Sequence, residues 1–145
     1  MKLALFPLGT YSESIVFEIS EDELYATIGD RNHNDASKKD FFVSSPTKYT
    51  LPVTTIRNLT DEEKVNIERL VENAYHSPKI QDDYHRSGGR SITILIKDRQ
   101  FSFPEYMAYN TGEEIDEPTP DSALIELYNE IVRLSPIEIP QDRYF

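Results

Sequence analysis

The sequence contains no cysteine among its 145 residues. Disulfide bonds, thiolate nucleophiles, zinc ribbons and iron–sulfur clusters are therefore excluded. No segment approaches the ~20 consecutive apolar residues that a transmembrane helix requires. The apolar run at residues 3–8 is followed by Gly9 and polar residues, so it lacks the length and cleavage site of a secretory signal. These absences predict a cytoplasmic protein without a membrane segment.

Basic residues are scarce relative to acidic ones, with 15 Lys and Arg against 26 Asp and Glu and a net charge of −11 at pH 7. General binding to nucleic acid or to an anionic membrane depends on a surplus of basic residues, so both are excluded as functions. The charges are also unevenly distributed. Residues 11–30 and 100–132 contain acids but no Lys or Arg, whereas residues 85–99 carry Arg86, Arg90, Lys97 and Arg99 against Asp98 alone.

The length and the aromatic content favour one folded domain. Typical domains have ~100–150 residues, and seven Phe and nine Tyr supply large rings for a core although only 38% of the residues are hydrophobic. We therefore predict a single domain over residues 1–145, in which residues 137–145 can form a loosely attached tail. Protected edge strands near Pro52 and Pro104 favour a monomer.

Alternating apolar residues predict strands. Residues 14–19 and 24–28 form one predicted hairpin, and residues 92–96 and 101–103 form a second, with Pro104 at its edge. Residues 41–43 predict a further strand. The β-branched segment at residues 49–56 predicts an edge strand or a strand that starts at Val53, because Pro52 cannot donate a hydrogen bond to a sheet.

Two helices are predicted from their start signals and apolar stripes. Thr60 and Glu63 form a capping box before a stripe of Ile67, Leu70, Val71 and Ala74, which predicts a helix over about 61–76. For the second helix, over about 120–134, Thr119 is the expected N-cap and Pro120 the first helical residue. Its expected buried stripe consists of Leu124, Leu127, Tyr128, Ile131 and Leu134. The order of elements predicts an α+β fold, in which an antiparallel sheet built largely from hairpins carries both helices on one face.

The patterns typical of enzymes are weak. His76, Asp82, Asp83 and His85 are the densest group of metal-ligand residue types, but their spacing matches no metal motif. The Gly88-Gly89 segment leads into a strand, so a turn is favoured over a phosphate-binding loop. No serine lies in a nucleophile elbow. We predict no cofactor and no metal, and a non-enzymatic role is favoured.

An acidic loop with aromatic residues is the candidate contact surface, because complementary charge raises association rates and aromatic side chains anchor interfaces. Its residues are Glu105, Tyr106, Tyr109, Glu113, Glu114, Asp116, Glu117 and Asp121. The leading hypothesis is an acidic binding protein that neutralises a basic partner, most concretely a bacterial immunity-type inhibitor of a toxin nuclease. One alternative is a small-ligand-binding or hydrolytic domain that uses the His76, Asp82, Asp83 and His85 loop, and another is an accessory interaction domain of a larger assembly.

Overall fold

The computed structural model describes residues 1–6, 13–30, 53–78, 91–104 and 121–139. These residues form six strands and two helices, which confirms the α+β fold. In chain order the elements are β1 (Lys2–Phe6), β2 (Glu13–Ser20), β3 (Glu23–Asp30), β4 (Val53–Asn58), α1 (Asp61–Tyr75), β5 (Ser91–Ile96), β6 (Arg99–Pro104) and α2 (Ser122–Arg133). The single domain and its tail stay predictions. Ile137 and Ile139 pack against the core, and residues 140–145 lie outside the described residues.

The strands form one sheet in the order β4-β3-β2-β1-β5-β6, and every neighbouring pair is antiparallel. Both predicted hairpins are present, as β2–β3 and β5–β6. Strand β4 begins at Val53 and lies at an edge, as the position of Pro52 predicts. The strand predicted at residues 41–43 lies outside the described residues.

Strand β1 lies in the middle of the sheet and was not among the predicted strands. It pairs with β2 on one side and with β5 on the other, placing Leu3 opposite both Phe17 and Ile94. A strand that is buried in the middle of a sheet reads as a short continuous apolar run rather than as an alternation. The run at residues 3–8 is of this kind, so periodicity alone could not identify it.

The hydrophobic core lies between one face of the sheet and the two helices. The register aligns a row of inward-facing residues across all six strands: Thr55, Ala26, Phe17, Leu3, Ile94 and Phe101. All of the apolar residues in this row are at most 1% exposed. The helices contribute Ile67, Leu70 and Ala74 from α1 and the complete predicted stripe from α2.

Helix α1 begins as its sequence predicts. The Thr60 hydroxyl accepts a hydrogen bond from the Glu63 amide at 3.2 Å, and the Glu63 carboxylate accepts one from the Thr60 amide at 2.9 Å. The helix predicted over about 120–134 is confirmed as α2, but the N-cap expected at Thr119 was wrong. Its N-cap is Asp121, whose carboxylate accepts the Ala123 N–H at 3.2 Å, so the helix begins at Ser122. Aspartate accepts this bond well, and it therefore displaces the expected Thr119 cap. Neither described helix is long and apolar enough to cross a membrane.

The second face of the sheet, opposite the helices, carries two cross-strand hydroxyl pairs and is buried at its centre. Hydroxyl pairs join Thr27 to Thr54 at 2.9 Å and Thr93 to Ser102 at 3.1 Å. Val16, which lies between these pairs, is 5% exposed. Cross-strand hydroxyl pairs of this kind stabilise a sheet by about 0.2–1 kcal/mol each.

Each hairpin turns through two residues, and the first of them has a positive φ. Glu21 and Lys97 both have φ near 53°, and each is followed by an aspartate, Asp22 or Asp98. Neither turn residue is glycine, although glycine is the residue that adopts this conformation without steric cost.

Candidate functional site

The fold brings two acidic segments together at one corner of the molecule. We define the acidic corner as Glu21, Asp22 and Glu23 at the β2–β3 turn together with Asp61, Glu62 and Glu63 in the first turn of α1. The two segments are separated by about forty residues in the sequence. They meet because β3 pairs with β4, which leads directly into α1 and places Glu23 opposite Asn58.

Two contacts hold the acidic corner together. The Leu59 N–H donates to the Asp22 carbonyl at 2.8 Å, which ties the β2–β3 turn to the segment before α1. Lys64 then bridges the two sides, with its Nζ 3.0 Å from Asp22 Oδ1 and 2.8 Å from Asp61 Oδ1. The carboxylates of Asp22 and Asp61 remain 72% and 98% exposed, so they face solvent while they share this cation.

Two carboxyl groups of the corner have lowered pKa values. The hydrogen bond and the charge of Lys64 lower the pKa of Asp61. The Thr60 backbone N–H, with Arg57 as a further contributor, lowers the pKa of Glu63. Both acids raise the pKa of Lys64, Asp61 more than Asp22. The helix N-terminus adds partial positive charge beneath these carboxylates, which favours their charged form.

The described part of the chain has no basic side chain left over for a partner. Each of its seven Lys and Arg residues has an intramolecular contact: Lys2 with Glu18, Arg57 with Glu63, Lys64 with Asp22 and Asp61, Arg69 with Asn66, Lys97 with Glu72, Arg99 with backbone carbonyls, and Arg133 with Glu130. Within the same ranges, five carboxylates have no hydrogen bond or ion pair: Glu21, Glu62, Glu68, Glu126 and Glu138. The surface formed by the described residues is therefore acidic.

An apolar patch adjoins the acidic corner on the second face of the sheet. Ile56 on the edge strand β4 is 53% exposed, and it lies directly opposite Tyr25 on β3. The Tyr25 hydroxyl donates to Glu23, and this bond raises the tyrosine pKa. Glu18 is the next residue along the same row. An exposed aliphatic and a tyrosine surrounded by carboxylates have the composition of an interface centre with a polar rim.

In the basic segment at residues 85–99, the described basic residues Lys97 and Arg99 make contacts within the fold. Arg99 donates to the Tyr75 carbonyl and, at 2.8 Å, to the Ser77 carbonyl. Its guanidinium also lies 4.8 Å from the centre of the Phe101 ring. Lys97 lies 4.7 Å above the Tyr75 ring. Arg99 therefore binds the carbonyls at the end of α1, and Arg86 and Arg90 lie outside the described residues.

The predicted contact loop falls almost entirely outside the described residues, which exclude 105–120. Asp121 is its one described member. Its carboxylate is occupied as the N-cap of α2, and its side chain is half-buried. A role of this loop in partner binding stays a prediction.

Of the four residues in the ligand-binding alternative, only His76 is described. It is the C-cap of α1, its side chain is 71% exposed, and its Nε2 lies 3.1 Å from Glu72. It does not line a cavity between the sheet and the helices. No group of three or more His, Asp or Glu side chains suited to a metal ion occurs in the described ranges. Asp82, Asp83 and His85 lie outside those ranges, so this alternative has no support from the geometry.

The acidic corner was missed from the sequence, although each half was visible there. The acid-only stretch at residues 11–30 and the acidic first turn of α1 both stand out. Their meeting depends on the β3–β4 pairing across residues 31–52, and that pairing has no local sequence signal. Only a correct register for β4 could have placed Asn58 beside Glu23.

The chain matches none of the protein-family models, curated proteins or solved structures with which it was compared.

Proposed function

We propose that the protein is a non-enzymatic binding protein whose acidic surface occupies the basic surface of a partner protein. The observation that carries this proposal is that the basic side chains have partners within the fold whereas several carboxylates do not. All seven described basic side chains are engaged within the fold, while five carboxylates of the same ranges have no partner. A surface of this kind attracts a cationic partner and repels polyanions.

The acidic corner is the part of this surface best prepared for binding. Asp22, Asp61 and Glu63 are held in place by Lys64 and by the helix start, so these three carboxylates lose little conformational freedom when a partner binds. Tyr25 and Ile56 beside it offer the aromatic and aliphatic area that gives an interface its affinity. Charge then provides the association rate and the selectivity.

The most concrete form of this proposal is an immunity-type inhibitor, which blocks the basic cleft of a toxin nuclease by placing carboxylates where nucleic-acid phosphates would bind. This finer step rests on the analogy that small, acidic, cysteine-free α+β domains suit such a role. The acidic corner and the predicted loop at 105–121 would supply the carboxylates.

The test starts from the native host, in which the tagged full-length chain is used to isolate partners that mass spectrometry identifies. We expect a basic protein whose association rate falls steeply as NaCl rises, because exposed charges are screened within about 10 Å at 0.1 M salt. The double variant Glu21→Gln with Glu62→Gln should slow association about two- to tenfold.

The matched control is Glu126→Gln, which neutralises an equally unpartnered carboxylate away from the acidic corner and should leave the rate nearly unchanged. If the partner is a nuclease, an equimolar amount of the protein should abolish its activity. A purified partner that is acidic, or binding that does not respond to salt, would contradict the proposal.

A further inference from the structure

The two edges of the sheet differ in what they expose. On β6, the large residues Phe101 and Phe103 are buried beneath the helices, at 1% and 3% exposure. On β4, Val53 and Ile56 are 54% and 53% exposed. The register places Val53 on the helix-bearing face and Ile56 on the second face. The edge at β4 therefore presents aliphatic side chains on both faces of the sheet.

Within its own six residues, strand β4 has neither lysine nor proline nor a bulge, although Pro52 precedes it and Arg57 faces the helices. Natural edge strands carry lysine, proline or a bulge that prevents another strand from pairing with them. The six residues Val53–Asn58 include no Lys or Pro, and their pairing with β3 is regular. The one charged side chain, Arg57, is directed to Glu63 at 2.6 Å and to the Leu134 carbonyl at 3.0 Å. No strand in the described ranges pairs with the outer side of β4.

Charge identifies the occupant of this edge. The end of β4 lies at the acidic corner, where Asn58 is opposite Glu23 and the Lys64 bridge joins Asp22 to Asp61. An extended segment beside β4 would thus end among carboxylates, which favours Lys and Arg there. A second copy of the chain is disfavoured because each copy carries a net charge of −11.

We propose that β4 is a docking edge, at which an extended basic segment of the partner protein pairs as an additional antiparallel or parallel strand. Backbone hydrogen bonds to β4 supply the affinity, as in other cases of strand addition. Alternate side chains of the segment contact Val53 on one face and Ile56 with Tyr25 on the other, and its basic residues reach the acidic corner. This inference rests on the proposed function and specifies how the partner binds.

The experiment uses the ¹⁵N-labelled full-length chain and, as the probe, a ten-residue Lys–Val peptide built from Val-Val and Lys-Lys pairs, so that both of its faces carry Val. Two control peptides are needed: one with Glu in place of Lys, and one with an N-methyl group on every residue, so that neither of its edges can donate a hydrogen bond to β4. We expect the Lys–Val peptide to shift the NMR signals of the Val53–Asn58 amides and to slow their hydrogen exchange. Both control peptides should bind at least about tenfold more weakly.

Variants of the protein locate the contact. Val53→Lys and Ile56→Lys each place a charge on the edge strand and should weaken peptide binding about tenfold or more. Val65→Lys is the matched control, because Val65 is an equally exposed aliphatic at 67% but lies on α1. It should change the affinity less than about twofold. Circular dichroism verifies that all three variants are folded.

The outcomes separate this inference from the proposed function. Tight binding of the N-methylated peptide, or shifts confined to residues outside β4, would overturn strand addition while the acidic binding function stands. Equal binding of the Glu peptide would overturn the charge-based function itself. Protection of β4 amides by dimerisation without any peptide would assign the edge to a second copy and overturn the inference.

Discussion

At the scale of single residues, the turn positions of Glu21 and Lys97 carry a conformational cost. A positive φ costs a non-glycine residue roughly 1 kcal/mol or more, because its Cβ crowds the backbone. Lys97 recovers part of this cost through its contact with the Tyr75 ring and its ion pair with Glu72 at 3.8 Å. Glu21 has no contact of this kind in the described residues. An acid at this turn position fits a role in the acidic corner rather than in stability.

We therefore expect Glu21→Gly to increase the free energy of unfolding by about 0.5–1 kcal/mol, since glycine adopts this conformation without the Cβ penalty. Urea denaturation measures the change. The matched control is Glu18→Gly, which removes an exposed acid from the middle of β2, where glycine weakens a strand and should lower stability by a similar amount. Equal signs for the two variants would contradict this explanation.

At the scale of elements, two arginines on opposite sheet edges donate hydrogen bonds to carbonyls at the ends of the two helices. Arg57 on β4 and Arg99 on β6 belong to the same inward-facing row of the sheet, which also contains Leu24, Ile19 and Ile96. Arg57 binds the Leu134 carbonyl at the end of α2, and Arg99 binds the Tyr75 and Ser77 carbonyls at the end of α1. Helix α1 has no basic residue in its last turn, so the sheet supplies the charge that its C-terminus favours.

Replacing either arginine with methionine keeps much of the apolar stem but leaves helix carbonyls without a donor. We expect Arg57→Met and Arg99→Met each to lower the free energy of unfolding by about 1–3 kcal/mol, the usual range for a lost charged hydrogen bond. Chemical denaturation gives the magnitude. Hydrogen exchange should show the loss concentrated at the end of α2 for Arg57→Met and at the end of α1 for Arg99→Met.

The control for this pair is Arg133→Met. Arg133 forms a bidentate pair with Glu130 one turn earlier on α2, and its side chain is 62% exposed. Surface pairs of this type stabilise proteins by ~0.5 kcal/mol or less. If Arg133→Met proves as damaging as the two edge variants, the proposed role of the sheet arginines is wrong.

These elements also show which features a sequence reveals. The Thr60–Glu63 capping box and the buried stripe from Leu124 to Leu134 follow from spacing within one helix, so both were predicted and both are confirmed. The role of Arg99 depends on a contact with Tyr75, and the acidic corner depends on the β3–β4 register. Both arise from packing between distant segments, for which a single sequence carries no periodic signal.

At the scale of the whole molecule, partnered carboxyl groups make stability depend on pH. Ordered contacts lower the pKa values of Asp61, Glu63 and Glu130, chiefly through bonds from Lys64, the Thr60 backbone and Arg133 respectively. A carboxyl whose pKa is lower in the folded state stabilises the fold above its unfolded pKa and loses that effect as the pH falls through its folded pKa. For glutamate this loss begins below the ordinary value of 4.5.

Glu63→Gln should isolate this contribution. We expect the variant to be less stable than the wild type at pH 7, and the difference to shrink as the pH falls from 5 to 3, because protonated Glu63 resembles glutamine. Urea denaturation at each pH measures the difference. Glu126→Gln, which removes a carboxylate without a described partner, should show a small difference at every pH. A constant gap for Glu63→Gln would contradict the lowered pKa.

The central position of β1 has a consequence for the order of synthesis. Strand β1 can pair with β2 soon after both leave the ribosome, but its other partner, β5, begins only at Ser91. At about 5–20 residues per second, the ribosome needs several seconds to deliver the intervening segment. During that interval β1 has no partner on the side that β5 will occupy, and the apolar face of the nascent β1–β2–β3 sheet is not yet covered by α2. Strand β1, in the middle of the finished sheet, is thus made first but receives its second neighbouring strand late in synthesis.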